Sequence, residues 1–172
     1  MINYDLKIIK AIVFDIDGVL SCSTVGMDET GVPIRTLNVK DGYAIQLAQE
    51  VGLNIGIITG GGTDDIKRRY ESLGVRDIYM NSSVKIHAWN DFLHKYHLSP
   101  DEVIYVGDDI PDFQIMQGIR CACCPKDASS DIKSVALYIS DVKGGYGVGR
   151  DIIEQVLRSQ GRWLHDVRVF GW

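Results

Sequence analysis

The sequence contains few cysteines, and their arrangement argues against both a zinc site and a disulfide framework. Only 4 of its 172 residues are cysteine, namely Cys22 and a cluster of Cys121, Cys123 and Cys124. A structural zinc site needs two separated ligand pairs, which one cluster does not supply. Disulfide frameworks belong to exported proteins, and we recognise no export signal here. We therefore expect the clustered cysteines to be small core residues of a short strand, with a redox or metal role as the alternative.

The sequence also lacks an excess of positive charge and any long apolar stretch. Its 18 lysines and arginines against 23 aspartates and glutamates give a formal net charge of −5 at pH 7. This balance argues against a nucleic acid or a membrane surface as the main partner. No run of residues is long and apolar enough to span a bilayer. We expect a cytoplasmic protein with neither a nucleic-acid nor a membrane partner.

What the sequence does contain is an alternation of short apolar runs and helical segments. The chain is 45% hydrophobic, which at this length predicts one domain, residues 1–172, with a sizeable core. Repeated strand–helix units predict an α/β fold, a doubly wound parallel sheet with helices on both faces. The predicted strands are Ile8–Phe14, Ile55–Ile58, Asp77–Met80, Val103–Val106, Ile119–Cys123 and Leu137–Ile139. The predicted helices are Tyr43–Val51 with Asp41 as N-cap, Asp64–Leu73, Val84–Tyr96, Asp109–Gln117, Ser129–Ser134 and Gly149–Arg158.

Two carboxylates follow the first predicted strand. Asp15 and Asp17 are two residues apart, and Gly18 comes directly after them. Side chains at i and i+2 of a strand point the same way, so both can face one pocket. Two close carboxylates repel each other unless a cation or a proton lies between them. The pattern favours a hard divalent metal beside a nucleophilic carboxylate. A strand followed by a simple Asp-Gly turn would have the same sequence.

Later segments add groups that suit a phosphate and a metal. At Thr59 and Gly60 a hydroxyl and open backbone N–H groups precede a helix N-terminus, where a phosphate can bind. Lys85 can supply a point charge for a phosphoryl group, or be an ordinary solvated lysine. A further strand is followed by the carboxylates of Asp108, Asp109 and Asp112. Ligands of parallel sheets bind at the carboxyl ends of the strands, and an all-oxygen cluster there suits magnesium.

The order of these motifs resembles that of the haloacid dehalogenase superfamily of phosphohydrolases. The matching segments are Asp15-x-Asp17-Gly18-Val19, Thr59-Gly60, Lys85 and Gly107-Asp108-Asp109-x-x-Asp112. Each motif alone is weak, but together, in this order, they extend over nearly the whole chain. Within the superfamily the sequence looks like the small enzymes that dephosphorylate 3-deoxy-D-manno-octulosonate 8-phosphate. The segments that carry this closer likeness are 37–43, Arg69 with 73–75, and 143–147.

The resemblance implies a fold of the Rossmann-like haloacid dehalogenase type and a role for each motif. Asp15 would attack phosphorus to form an aspartyl-phosphate, and Asp17 would protonate the leaving oxygen and then activate water. Magnesium would be held by Asp15, by the backbone carbonyl of Asp17 and by Asp108. Asp109 and Asp112 would support these ligands from further out. The phosphoryl oxygens would be bound by Thr59, Gly60 and Lys85.

The substrate implied by the resemblance is anionic at both ends, so a second positive group is expected. Lys40 and Arg69 are the candidates, with Asp41, Gly42 and Tyr43 lining the pocket. Lys40 could equally be a surface residue, and Arg69 could pair with an acid on its own helix. Three functions stay open: hydrolysis of this eight-carbon sugar acid phosphate, hydrolysis of a nine-carbon ulosonate phosphate or another sugar phosphate, and a non-catalytic module of the same fold.

The sequence has no segment long enough to fold as a cap domain over such a site. Its one sizeable insertion, residues 21–38, predicts a β-hairpin around Asp28-Glu29-Thr30-Gly31. Likeness to tetrameric relatives implies a homotetramer in which neighbouring subunits cover each active site. The C-terminal tail, residues 161–172, is rich in apolar and aromatic side chains that are costly to expose. It would dock either on a neighbour or on its own domain.

Overall fold

The computed structural model describes residues 1–164, so most of the predicted tail, residues 165–172, lies outside the described part of the chain. Within it the strands are β1 Ala11–Phe14, β2 Gly26–Met27, β3 Pro33–Ile34, β4 Asn54–Ile58, β5 Asp77–Tyr79, β6 Val103–Val106, β7 Ala122–Cys124 and β8 Tyr138–Ile139. The helices are α1 Val39–Glu50, α2 Asp64–Ser72, α3 Lys85–Tyr96, α4 Ile110–Met116, α5 Ser130–Val135 and α6 Val148–Ser159.

Six of these strands form one parallel sheet in the order β5-β4-β1-β6-β7-β8. The chain first builds outward from β1 to β4 and β5, then returns to the other side of β1 to add β6, β7 and β8. The strand order therefore reverses beside β1, which is where α/β sheets open a crevice for ligands. The predicted doubly wound α/β fold is confirmed, and residues 1–164 include no cap domain.

Alternate side chains of the strands feed two separate cores. Ile12 and Phe14 of β1 belong to a core that α1, α2 and α6 cover, while Ala11 and Val13 belong to a core under α3, α4 and α5. All four side chains are fully buried. Because both faces of β1 are buried, every residue of the strand is apolar and its sequence is a continuous apolar run.

The cysteine cluster follows the same alternation. Cys123 packs in the first core and Cys124 in the second, and all three clustered cysteines are buried and unpaired. Their predicted packing role is confirmed.

The beginning of α1 differs from the prediction. Asn38, not Asp41, is the N-cap, because its side chain accepts the N–H groups of Lys40 and Asp41. Asp41 then lies inside the first turn, where one carboxylate oxygen accepts the N–H of Arg150 in α6 at 2.6 Å. The Asp41 N-cap prediction was wrong because Asn38, three residues earlier, already caps a helix that begins at Val39.

The insertion contains the predicted hairpin in a small form. Strands β2 and β3 pair antiparallel over two residues each. In the turn the Asp28 carboxylate accepts the N–H groups of Thr30 and Val32 and the Thr30 hydroxyl. Among the described residues, no helix has the length and apolar character needed to cross a membrane.

A glycine-rich loop before α6 holds the loop after β1. A Cβ on Gly144 would lie 1.9 Å from the carbonyl oxygen of Gly18, so the two backbones touch. The N–H of Gly145 also donates to the carbonyl oxygen of Val19 at 2.8 Å. This contact supports the backbone that directly follows Asp15 and Asp17.

Replacing Gly144 by alanine should lower the free energy of unfolding by roughly 1–3 kcal/mol, because a methyl group there forces two packed backbones apart. Gly118→Ala is the matched control, since its nearest neighbours would lie at an ordinary 3.5 Å. Urea unfolding of both variants and the parent measures the difference. Equal stability of the two variants would contradict the close packing of these loops.

Candidate active site

The ends of three adjacent strands meet at one cavity of about 380 Å³. Asp15 follows β1, Thr59 follows β4 and Asp108 follows β6, and β1 is hydrogen-bonded to both of the other strands. Every residue predicted for catalysis, phosphate or metal binding lines this cavity: Asp15, Asp17, Thr59, Gly60, Lys85, Asp108, Asp109 and Asp112. The sheet topology therefore brings together motifs that are far apart in the sequence.

Three of these carboxylates form a tight cluster. Oxygen atoms of Asp15, Asp108 and Asp112 lie within 4.8 Å of one another. Burial, with the charge of Asp112 added, raises the pKa of Asp15 to about 8 against the opposing effect of Lys85. The same two causes raise the pKa of Asp108 to about 7. Carboxylates held this close together resist losing their protons unless a cation lies between them. Because all of the donor atoms are oxygens, the cluster fits a hard divalent cation.

The cluster is partly neutralised by one buried lysine. The Lys85 ammonium lies 2.9 Å from an oxygen of Asp15 and 2.7 Å from an oxygen of Asp112. Burial alone would lower the pKa of Lys85, but these two carboxylates raise it above its ordinary value, so the side chain stays charged. Its side chain is only 4% exposed, which excludes the alternative of a solvated surface lysine.

Asp112 is fixed by more partners than its predicted supporting role required. The hydroxyl of Tyr105 in β6 donates to it at 2.6 Å, and the N–H of Asp108 donates at 3.1 Å. One of its oxygens also belongs to the possible metal cluster, whereas Asp109 is exposed at the N-cap of α4. Metal binding through the backbone carbonyl of Asp17 stays a prediction.

Two glycines make room for these carboxylates. Gly18 has a φ of 90°, and a Cβ there would lie 1.9 Å from an oxygen of Asp108. A Cβ on Gly107 would lie 2.4 Å from the side chain of Asp112. A side chain at either position would push a carboxylate out of the cluster, which explains why glycines flank it.

Arg35 binds the second aspartate of the first motif, a contact that sequence reasoning missed. Its Nε donates to one oxygen of Asp17 at 2.8 Å and its Nη2 to the other at 2.9 Å. Its Nη1 donates to the hydroxyl of Thr63 at 3.0 Å, and the pKa of Arg35 is raised chiefly by the bond to Asp17. The available signal was composition, since Arg35 is the one basic residue within 21–38.

The predicted phosphate loop lies open to the cavity. Thr59 is buried, and its hydroxyl accepts the N–H of Gly61 at 3.0 Å. No atom lies within 4 Å of where a Cβ on Gly60 would be, so the backbone there is unobstructed. Ser82 and Ser83 also line the cavity. Sequence reasoning missed both serines, because nothing in their spacing ties them to the other motifs.

The predicted substrate residues lie elsewhere. Asp41, Gly42 and Arg69 line a separate cavity of about 10 Å³, and Lys40 is exposed in the first turn of α1. Burial raises the pKa of Asp41 to about 6, and its second carboxylate oxygen has no partner among the described residues. The structure does not bring this group to the acidic cavity, and its contact with a substrate stays a prediction.

A wider cleft of about 750 Å³ lies at the opposite edge of the sheet, near Lys10 and Glu102. Those two side chains pair with each other. Within residues 1–164 the possible metal cluster is the one at Asp15, Asp108 and Asp112, so the chemistry is concentrated in the smaller cavity.

Comparison with known proteins gives the same family by three routes. Residues 72–152 match the family model of haloacid dehalogenase-like hydrolases. The chain is 32% identical over 154 residues to the 3-deoxy-D-manno-octulosonate 8-phosphate phosphatase KdsC of Escherichia coli K12, covering 90% of this chain and 82% of that protein.

Solved structures agree with the sequence match. The phosphatase of the same name from Yersinia pestis superposes with a TM-score of 0.88 at 28% identity, covering 92% of this chain and 85% of that one. The Moraxella catarrhalis phosphatase, in complex with magnesium, phosphate and KDO, gives 0.87 at 26% identity, covering 92% and 91%. With its acidic cluster and its predicted phosphate loop at the same edge of the sheet, the chain belongs to the 3-deoxy-D-manno-octulosonate 8-phosphate phosphatase family of haloacid dehalogenase-like hydrolases.

Proposed function

We propose that this phosphatase hydrolyses 3-deoxy-D-manno-octulosonate 8-phosphate to the free sugar acid and phosphate, with magnesium and through an aspartyl-phosphate on Asp15. The observation that carries the proposal is the meeting of all four motifs in one cavity, around a carboxylate cluster. Support for the substrate comes from the named activity of the relatives, one of which is a complex with magnesium, phosphate and KDO.

Asp15 acts as the nucleophile because it is the carboxylate best held for attack. Its oxygen lies 2.9 Å from the Lys85 ammonium, which fixes the side chain and offsets its negative charge. Attack on phosphorus forms the aspartyl-phosphate and breaks the bond to the sugar oxygen. Asp17 gives that oxygen a proton and later takes one from the attacking water.

The proposed metal ligands are Asp15, the backbone carbonyl of Asp17 and Asp108, with Asp109 and Asp112 supporting them. When bound, magnesium neutralises charge on the phosphoryl oxygens and on the carboxylates around them. Thr59, the N–H of Gly60 and Lys85 bind the phosphoryl oxygens, and Lys85 can do so because it stays protonated. Lys40, Asp41, Gly42 and Arg69 remain our proposed contacts for the sugar.

Phosphate release from a panel of substrates tests this function. We expect the highest kcat/KM for 3-deoxy-D-manno-octulosonate 8-phosphate, with little activity after EDTA treatment and recovery on adding magnesium. The panel also contains a nine-carbon ulosonate phosphate and neutral sugar phosphates. A preference for one of these would reassign the substrate, and no phosphate release from any of them would favour a non-catalytic module.

Asp15→Asn should reduce kcat by at least about a thousandfold, because the amide cannot form the acyl phosphate. Asp101→Asn is the control, since this aspartate is exposed and lies outside the cavity. Asp15→Asn should fold as well as the parent, because this substitution removes one of three mutually repelling carboxylates. Mass spectrometry after acid quenching should detect a phosphorylated parent protein and no phosphorylated Asp15→Asn. Turnover near the parental rate would rule out the covalent route.

We also propose that the protein is a cytoplasmic homotetramer whose neighbouring subunits cover the open cavity. The support is the hairpin, which exposes four apolar side chains: Met27, Val32, Ile34 and Leu37. Such a patch is costly in water and suits burial against another subunit. The unpaired cysteines suit a reducing compartment.

Analytical ultracentrifugation of the full chain tests the assembly. The parent should sediment as a tetramer, and the double variant Met27→Glu with Ile34→Glu should dissociate, because buried carboxylates without partners oppose association. Ile8→Glu, at an exposed position outside the hairpin, is the control. A parent that sediments as a monomer with full turnover would overturn the tetramer.

A further inference from the structure

We propose that Arg35 selects substrates bearing a second acid group, by leaving Asp17 to bind the substrate carboxylate and so freeing Asp17 for the leaving oxygen. This inference rests on the proposed function and assigns the substrate carboxylate to a residue outside the four motifs. The correct substrate would replace the ion pair between Arg35 and Asp17 by an ion pair between Arg35 and its own carboxylate.

The first step is that Asp17 is occupied. Both of its carboxylate oxygens accept hydrogen bonds from Arg35, at 2.8 and 2.9 Å. Its role in catalysis requires an oxygen directed at the leaving oxygen of the sugar. The two-pronged pair fixes the orientation of the Asp17 carboxylate, whose side chain is 38% exposed, so turning an oxygen toward the leaving oxygen of the sugar requires the pair to open.

The second step is that Arg35 already lies at the phosphate loop. A Cβ on Gly61 would lie 2.8 Å from its Nη2, so the guanidinium rests directly on the backbone after Gly60. Gly61 lines the cavity together with Asp17. Arg35 does not itself line the cavity, so the proposed exchange requires its side chain to rotate past Gly61 toward a ligand there.

The third step is that the backbone beside Arg35 is held while its side chain can exchange partners. The N–H of Thr36 donates to the Ser21 hydroxyl at 3.1 Å, and the Thr36 hydroxyl accepts the N–H of Cys22 at 3.0 Å. Arg35 has five N–H donors and uses three of them, two on Asp17 and one on Thr63. Two donors remain for an incoming acid before the pair opens.

The energetics explain the selectivity. The Arg35 side chain is only 8% exposed, so parting it from a carboxylate without a replacement is costly. A substrate carboxylate offers the same planar, two-oxygen partner, which makes the exchange nearly balanced. The phosphate of a sugar without a carboxylate offers no such partner, so Asp17 stays bound to Arg35. Binding of the correct substrate thus completes the catalytic arrangement.

The other candidate cations are less well placed. Lys40 is exposed on α1, and Arg69 lines the small separate cavity beside Asp41. Within residues 1–164, neither side chain forms a hydrogen bond or an ion pair with a residue of the acidic cavity. Arg35 is bonded to one of its predicted catalytic residues.

The test compares Arg35→Gln with Arg68→Gln, a control that removes the same charge from an exposed position on α2. The substrates are 3-deoxy-D-manno-octulosonate 8-phosphate and glucose 6-phosphate, which lacks a carboxylate. Arg35→Gln should lower kcat/KM for the sugar acid phosphate about ten- to a hundredfold, the value of a charge-assisted pair. It should raise kcat for glucose 6-phosphate, because Asp17 is released. Arg35→Lys should recover only part of the preference.

Binding of the product supplies a readout that does not need turnover. Calorimetry with free 3-deoxy-D-manno-octulosonate and magnesium should give a weaker affinity for Arg35→Gln than for the parent or Arg68→Gln. A preference for the acid substrate that survives in Arg35→Gln would overturn the role of Arg35 alone. Loss of the preference in Lys40→Gln or Arg69→Gln, with Arg35→Gln unaffected, would assign the carboxylate to that residue instead. A parent that hydrolyses both substrates equally would overturn this inference together with the proposed substrate.

Discussion

Repulsion among three buried carboxylates is the constraint on which the rest of this site depends. Asp15, Asp108 and Asp112 are held within 4.8 Å of one another, with Lys85 as the cation between two of them. Such a cluster exists only if the surrounding fold prevents it from spreading. The parallel sheet does so, because β1 and β6 are paired along their whole length and cannot separate at their ends.

The neighbours of the cluster reduce its cost without removing its charge. Tyr105 donates to Asp112 from the centre of the sheet, and the glycines at 18 and 107 let carboxylates approach the backbone. What remains is visible in the raised pKa values, about 8 for Asp15 and about 7 for Asp108. A folded state that keeps protons the unfolded chain has lost is stabilised at low pH. That stability is lost as the pH rises from about 4 to about 8. A divalent cation held by these carboxylates would reverse this loss, so the geometry that disfavours the metal-free anions fits a metal.

The sequence predicted which residues of the motifs meet in this cavity, because most of them directly follow strands. A strand followed by Asp15 or Asp108 places its carboxylate at the same edge of any parallel sheet, and the order of the motifs then indicates the chemistry. Arg35 could not be found in this way, since its contact with Asp17 depends on how a hairpin folds back over β1. The bond that Asp41 makes could not be predicted for a related reason. Its partner is Arg150 in α6, more than a hundred residues away in sequence, and local spacing carries no record of that bond.

The four motifs determine neither the assembly of subunits nor the choice of substrate, and the hairpin contributes residues to both. One part of it exposes Met27 and Ile34, and the residue directly after Ile34 is the arginine that binds Asp17. If a neighbouring subunit buries the apolar part, it also fixes the backbone from which Arg35 extends. The two-residue strands of the hairpin add little stability by themselves, so assembly would strengthen the hold that the bonds of Thr36 to Ser21 and Cys22 already give this backbone. In this capless fold, selectivity for an acidic substrate would then be stronger in the assembled protein, where a neighbouring subunit covers the cavity.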